Sequence, residues 1–252
     1  DGTLLNTLED LGDSVNHALK SFGYPERTYE EVRCFVGNGI KELMFKAVPN
    51  GTDEETALKC LQIFKDHYKT NMQHKTAPYN GIIELLETLK SNGFKLGIVS
   101  NKYDFGVKNL NKYYFKDLIP VAIGEREGVR RKPAPDTVLT AMKELNAQKE
   151  STLYVGDSGS DMITAQNAGV KGVGVTWGFR EESLHQELGV THIARKAEDI
   201  VSSMLMDLGI QGVEIEDKIP LTQSDKEQMF VDILPDGPED DGIAYLSFFV
   251  EE

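Results

Sequence analysis

The stretch STLYVGDSGSDM, residues 151–162, predicts a strand, a loop and a helix in succession. Its first five residues end in the apolar run Leu153-Tyr154-Val155 and predict a strand, and the helix is expected over 159–168. Asp157 and Asp161 lie on either side of the start of this helix. Two carboxylates near a helix start provide oxygen ligands of the kind a hard cation prefers. The stretch therefore predicts a strand end that carries a candidate metal site.

Predicted strands and helices alternate on both sides of this stretch, from residue 79 to 195. Such alternation indicates βαβ units, so we expect an α/β fold with a Rossmann-like parallel sheet. The further strands are expected at 94–100, 120–124, 171–178 and 191–194, and the further helices at 80–92, 103–115 and 136–146.

The region before residue 79 carries no strand pattern. Apolar residues at helical spacing predict helices over 8–22, 37–47 and 53–74. An all-helical block ahead of the alternating region indicates a helical cap inserted after the first strand of the sheet. We expect residues 12–78 to form this cap, and residues 1–11 together with 79–195 to form the core.

Three more polar clusters fall where ligands bind in open α/β sheets, beyond the carboxyl ends of strands. They are Asp1-Gly2-Thr3, Ser100-Asn101 and Lys132-Pro133. Each has a structural explanation when it is taken alone: a turn, a strand cap and a solvated loop. Their order along the chain and their strand context make the combination far more specific than any single member.

The four clusters together resemble the motifs of the haloacid dehalogenase-like phosphatases, over residues 1 to about 195. Several segments are similar to phosphoglycolate phosphatases in particular: DGTLLNT, FVGNGI, SNK, KPAPD, GDSGSDM and VTWGFR. The resemblance implies Mg²⁺-dependent hydrolysis of a small phosphorylated metabolite through an aspartyl phosphate. The alternatives are another small-molecule phosphatase or pyrophosphatase of this superfamily, or a catalytically inactive module that binds phosphate or a protein.

The resemblance also implies a role for each matching residue. Asp1 matches the acid/base aspartate, and its carbonyl would bind Mg²⁺. Thr3 would orient this loop. Ser100 would donate to a phosphoryl oxygen, assisted by amides near Asn101. Lys132 would neutralise the phosphoryl group. The remaining two roles concern the metal: Asp157 would bind it directly, and Asp161 would hold a metal-bound water or brace Lys132.

The cap has its own candidate residues for contact with the leaving group of the substrate. They are Gly37, Asn38, Gly39 and Lys41, within FVGNGIK. Gly37 and Gly39 have an equally good structural explanation, because glycines also shape the start of a helix. The cap as a whole is expected to close over the substrate and exclude water.

The nucleophile position of the family falls two residues before Asp1, at the end of a strand. We therefore expect the sequence to be truncated at its N-terminus, so that these 252 residues alone lack the attacking aspartate and are inactive.

The C-terminal segment differs in composition from the rest of the chain. Residues 196–252 hold 3 Lys and Arg against 15 Asp and Glu, whereas residues 1–195 hold 24 against 26. We expect a small acidic α+β piece here, with a helix at 197–208 and three strands after it. It resembles the N-terminal domain of bacterial ribosomal protein L-eleven methyltransferases, and this resemblance implies a gene-level fusion.

The overall composition excludes several functional classes. A formal net charge of −14 argues against nucleic-acid binding, which needs a basic surface. No apolar run approaches the ~18 residues of a membrane span. Two cysteines without metal-ligand spacing fit a cytoplasmic protein. The oligomeric state is left open by the sequence.

Overall fold

The computed structural model describes residues 1–201, which belong to a compact unit running from Asp1 to Leu208. The predicted acidic α+β piece lies outside the described residues, apart from its first few positions. None of the described helices is long and apolar enough to span a membrane.

The first part of the chain is helical, as the apolar spacing predicts. Two elements carry side-chain caps at their N-termini: Thr28 and Glu31 form a capping box on the second helix, and Asp53 caps the fourth. The helices are α1 Leu8–Ser21, α2 Tyr29–Phe35, α3 Ile40–Ala47 and α4 Glu54–Asn71.

The borders of the predicted cap need correction. Two short strands, β1 Leu5–Asn6 and β2 Ala77–Pro78, pair antiparallel where the chain enters and leaves the helical block. The boundary predicted at residue 12 falls inside α1, because this helix continues unbroken from Leu8. Two-residue strands have no alternating pattern to detect, so the sequence could not reveal this junction.

The second part of the chain alternates as predicted and forms an α/β fold. Its strands are β3 Gly97–Tyr103, β4 Val121–Glu125, β5 Leu153–Gly156, β6 Lys171–Val175 and β7 His192–Ala194. Its helices are α5 Ile82–Ser91, α6 Asp104–Leu110, α7 Asp136–Leu145, α8 Gly159–Ala168 and α9 Glu182–Glu187, and a π-helical turn, Asn111–Phe115, follows α6. All pairings among β3 to β7 are parallel.

Within residues 1–201 the parallel strands form two separate ladders. Strand β3 pairs with β4, and β5, β6 and β7 pair in that order. One edge strand of each ladder is incompletely covered: Ile98 and Val99 of β3, and Val155 of β5, are only half-buried although they are apolar. Buried parallel strands are normally covered on both sides, so this part of the sheet has unfilled edges.

Several elements either differ from their predicted ranges or were not predicted. The strand expected at 94–100 lies three residues later, because the run Ser100-Asn101-Lys102 continues the extended backbone beyond the apolar residues. Helices α2 and α9 were not predicted. His185 lies on α9 and is completely buried, and its Nε2 donates a hydrogen bond at 3.1 Å to the carbonyl of Val175.

The end of the described region packs on the core. Ala197, Ile200 and Val201 are buried, and a Cβ placed on Gly81 would lie 3.1 Å from the Cβ of Ala197. The boundary predicted at residue 196 therefore lies inside the compact unit.

Candidate active site

A cavity of about 70 Å³ opens where β3 and β5 end, beneath the helical block. It brings together residues from all four sequence clusters. Its lining residues from the α/β part are Asp1, Ser100, Asn101, Lys102, Lys132, Asp157, Ser158, Asp161, Phe179 and Arg180, and those from the helical part are Leu11, Val36, Gly37, Gly39, Ile40 and Leu43.

Asp157 is buried at the end of β5 and keeps part of its hydrogen-bonding capacity unused. Its Oδ1 accepts from the hydroxyl of Thr3 at 3.1 Å, and its Oδ2 accepts from the amide of Phe179 at 2.9 Å. Burial and the nearby charge of Asp161 raise the pKa of Asp157, although the Phe179 amide acts in the opposite direction. A carboxylate in this condition is stabilised by a cation.

Close backbone packing around Asp157 depends on two glycines. A Cβ on Gly2 or Gly178 would overlap the side chain of Asp157. Gly2 also has a φ of +78°, which side-chain-bearing residues rarely adopt. Both loops can therefore approach the carboxylate only because neither carries a side chain there.

Asp161 and Lys132 form a buried ion pair, with 2.6 Å between Nζ and Oδ1. Asp161 is the third residue of α8 and forms a capping box with Ser158, while the hydroxyl of Tyr154 donates to it at 2.9 Å. Burial opposes the charge of Asp161, but Lys132 and these donors outweigh burial and lower the pKa of Asp161. Burial also opposes the charge of Lys132, but Asp161 outweighs it and raises the pKa of Lys132. Of its two predicted roles, the contacts favour bracing Lys132.

Asn101 links three parts of the site through main-chain groups. Its Oδ1 accepts from the amide of Lys132 at 2.9 Å, and its Nδ2 donates to the carbonyls of Lys132 and Gly37, each at 3.2 Å. The sequence predicted that main-chain amides near Asn101 would help to bind a phosphoryl oxygen. The structure gives its side chain the additional task of holding Lys132 in place. The hydroxyl of Ser100 accepts from the amide of Lys102 at 3.1 Å.

Lys102 is a residue that the sequence reasoning missed. Its buried Nζ lies 3.1 and 3.2 Å from the two carboxylate oxygens of Asp1 and donates to the hydroxyl of Tyr68 at 2.7 Å. Tyr68 belongs to α4, so this cluster connects the helical block to the predicted acid/base residue. A lysine directly after Ser100-Asn101 at a strand end was the available signal, and Tyr68 gave none.

The loop between α2 and α3 docks through three consecutive carbonyls. Arg180 donates to Val36, Asn101 donates to Gly37 at 3.2 Å, and Arg131 donates to Asn38 at 3.2 Å. We call this loop, residues 36–39, the cap loop. Because every acceptor is a main-chain oxygen, the docking depends on the backbone path and not on the side chains of the loop.

The four predicted cap contacts divide into two pairs. Gly37 and Gly39 line the cavity, whereas Asn38 and Lys41 do not. Asn38 donates to Glu42 at 3.1 Å, and Lys41 pairs with Glu54 at 3.6 Å on the surface. Thr3 also lies outside the lining, where it contacts Asp157 and accepts through its carbonyl from the indole of Trp177 at 2.9 Å.

The donors present fit Mg²⁺ better than a soft transition metal. Among residues 1–201 no group of three or more His, Cys, Asp and Glu side chains has the arrangement of a metal site. Mg²⁺ is commonly held by one or two carboxylates and keeps several waters. Asp157, with its raised pKa and incompletely used oxygens, suits such an ion as the main side-chain ligand.

The combination of a parallel sheet, a helical block above the strand ends and a buried Lys-Asp pair defines a capped α/β enzyme whose site suits an anionic substrate. Residues 1–175 match the family model described as haloacid dehalogenase-like hydrolase, and the chain belongs to that family. This confirms the fold predicted from the sequence and the assignment of the chain as a hydrolase.

The relatives give the family assignment more detail. Phosphoglycolate phosphatase of Aquifex aeolicus is 33% identical, with 71% of this chain and 83% of that protein covered. Phosphoglycolate phosphatase 1 of Pseudomonas aeruginosa is 31% identical, with 82% and 75% covered. A crystal structure from Lactobacillus delbrueckii, assigned as a phosphoglycolate phosphatase, is 31% identical with a TM-score of 0.76 and covers 81% of this chain and 95% of its own.

Proposed function

We propose that this protein acts in Mg²⁺-dependent hydrolysis of phosphomonoesters, with 2-phosphoglycolate as its substrate. The observation that carries the proposal is the buried Lys132–Asp161 pair beside Asp157 in one cavity. A fixed ammonium next to a partly unpaired carboxylate is the arrangement that a phosphoryl dianion and its metal require. The names of the relatives support the choice of substrate.

Each core residue has a definite task in this proposal. Lys132 neutralises the phosphoryl oxygens, and Asp161 holds its Nζ in position at 2.6 Å. The hydroxyl of Ser100 donates to a phosphoryl oxygen. The carboxyl group of Asp1 gives a proton to the leaving alkoxide, and Lys102 keeps that group directed into the cavity. The cap loop closes the cavity against water.

Mg²⁺ would be held by Asp157 and by the carbonyl of Asp1. It would supply positive charge against the phosphoryl oxygens as the ester bond breaks. Its charge would also reverse the effect that burial and Asp161 have on Asp157, and would keep this carboxyl group ionised.

The attacking aspartate is expected two residues before the position of Asp1. A strand that ends there has a place in the sheet, since β3 and β5 leave edges unpaired within the described residues. We therefore propose that a strand-forming segment ending in Asp-Leu, placed directly before Asp1, completes both the sheet and the site.

This proposal is tested with two extended proteins. One carries the segment ending in Asp-Leu, and the matched control ends in Asn-Leu. We expect the first to hydrolyse 2-phosphoglycolate only with Mg²⁺, and the control and residues 1–252 alone to be slower by a factor on the order of 10⁴ or more. Equal rates for the two extensions, or undiminished hydrolysis in excess EDTA, would show that the proposal is wrong.

A further inference from the structure

Three cations line the cavity, and they differ in how their charge is balanced. Lys132 is paired with Asp161, and Lys102 is paired with Asp1. The contacts of Arg180 within residues 1–201 are all to main-chain carbonyls: Arg33 at 2.8 Å, Phe179 at 3.3 Å, and Val36. Carbonyl dipoles accept its hydrogen bonds without cancelling its charge. Arg180 therefore attracts a second anion into the cavity.

The backbone of Arg180 lies close to the residues that are proposed to bind the phosphoryl group. Its neighbour Phe179 donates through its amide to Asp157, so the backbone of Arg180 begins beside the predicted metal ligand. Its side chain extends from there to the carbonyl of Val36 in the cap loop. A small substrate whose phosphoryl group lies at Asp157 and Lys132 would thus present its other end to the guanidinium.

Gly37 leaves room beside this guanidinium. A Cβ at this position would lie 3.3 Å from Nη2 of Arg180, and the φ of +132° already disfavours a side chain. A guanidinium has five N–H donors, and the carbonyl contacts use three of them. The remaining donors are sufficient to bind a planar carboxylate. Arginine binds a carboxylate better than lysine does, because the guanidinium is flat and presents its donors as a fork.

We propose that Arg180 is a specificity-determining residue that binds the carboxylate of the substrate and so favours phosphorylated carboxylic acids over neutral phosphoesters. This inference rests on the proposed function, which it deepens by naming the group that distinguishes substrates. The small cavity restricts the carbon chain between the phosphoryl group and the carboxylate to very few atoms.

The test measures binding to residues 1–252 by titration calorimetry with MgCl₂ present, so it does not depend on turnover. The ligands are 2-phosphoglycolate, 2-hydroxyethyl phosphate, in which an alcohol replaces the carboxylate, and inorganic phosphate. We expect the wild type to bind 2-phosphoglycolate at least tenfold more tightly than 2-hydroxyethyl phosphate. Arg180→Gln should reduce this ratio to below threefold, and Arg180→Lys should give an intermediate ratio.

Arg33→Gln is the matched control. Arg33 donates to the carbonyl of Phe179 at 2.7 Å in the same contact region but does not line the cavity, so its loss should leave the ratio unchanged. The ratio is internal to each variant, so a reduced folded fraction does not alter it. An unchanged ratio in Arg180→Gln, or an equal loss in Arg33→Gln, would overturn the inference.

The same titrations separate the inference from the proposed function. If the wild type binds both phosphoesters and inorganic phosphate but shows no preference, only the role of Arg180 is wrong. If the wild type binds none of the three ligands, the inference fails, and the proposed function is decided separately by the hydrolysis assay on the two extended proteins.

Discussion

The floor and the cap side of the cavity are held in place by different forces. We define the floor as the buried carboxylates Asp157 and Asp161 together with Lys132, which is paired with Asp161. The cap loop, residues 36–39, docks instead through neutral carbonyls that accept from core side chains. Charge fixes Lys132, the group proposed to neutralise phosphate, whereas hydrogen bonds to uncharged carbonyls hold the loop that borders the cavity on the cap side.

The largest expected effect comes from breaking the ion pair of the floor. Lys132→Met leaves the buried carboxylate of Asp161 without its counter-charge, and should lower the free energy of unfolding by about 3 kcal/mol. Lys41→Met is the control, since the side chains of its pair with Glu54 are 57% and 71% exposed and such pairs contribute about 0–1 kcal/mol. Urea denaturation at pH 7 measures both. Similar decreases in the free energy of unfolding in the two variants would mean that the ion pair of the floor stabilises the protein no more than an exposed pair does.

The second prediction concerns the other carboxylate of the floor. Because folding raises the pKa of Asp157, its ionised form costs stability, and this cost develops as the pH rises above the ordinary value of 3.8. Asp157→Asn should therefore raise the melting temperature by about 2–4 °C at pH 7 in EDTA, which corresponds to roughly 1 kcal/mol. The gain should disappear below about pH 3.8.

The control for this prediction is the change in melting temperature when MgCl₂ is added. The wild type should melt at a higher temperature when MgCl₂ is added, because a ligand that binds only the folded state stabilises it. Asp157→Asn should lose this increase. A variant that is destabilised in EDTA at pH 7, or that still responds fully to Mg²⁺, would remove Asp157 as the principal metal ligand.

An effect of comparable size is expected in the cap loop. Gly39 has a φ of +85°, and a Cβ there would lie 2.6 Å from Nη1 of Arg131, which donates to Asn38. Gly51 has a φ of +88° with nothing within 4 Å of such a Cβ. Gly51→Ala should cost about 1 kcal/mol from backbone strain alone. Gly39→Ala should cost about 1 kcal/mol more, through the displaced hydrogen bond. Equal values from urea denaturation would mean that Arg131 does not hold the loop.

The smallest effect is expected for the two predicted cap residues that do not line the cavity. Asn38→Ala and Lys41→Ala should each change the affinity for 2-phosphoglycolate by less than about twofold, because their side chains contact Glu42 and Glu54 outside the cavity. Calorimetric titration in MgCl₂ measures this. A tenfold loss in either variant would place that side chain in contact with the substrate.

The floor could be predicted from the sequence to a greater extent than the cap side. Asp157, Asp161 and Lys132 stand in segments where residue type and the preceding strand both indicate a ligand site, and the structure brings them into one cavity. Gly37 and Asn38 are adjacent in sequence, yet only the first lines the cavity. Which of two neighbours faces inward depends on a loop path that core side chains impose, and periodicity carries no information about it.

Arg180 and Tyr68 show a second limit of sequence reasoning. Each acts across a large sequence separation: Arg180 on the cap loop, and Tyr68 on Lys102. Neither residue type is unusual in its segment, so only the assembled fold reveals its contacts. The alternating elements of the core were predictable because each one buries an apolar face within its own few residues.

The docking of the cap loop also affects how this protein can evolve. A substitution at position 38 leaves the three acceptor carbonyls in place, so new side chains can be tried there without redesigning the way the loop closes. The two glycines on either side cannot vary as freely, because their backbone angles define the path that presents those oxygens. The side chain at position 38 is thus open to gradual change, while the backbone geometry that closes the loop is retained.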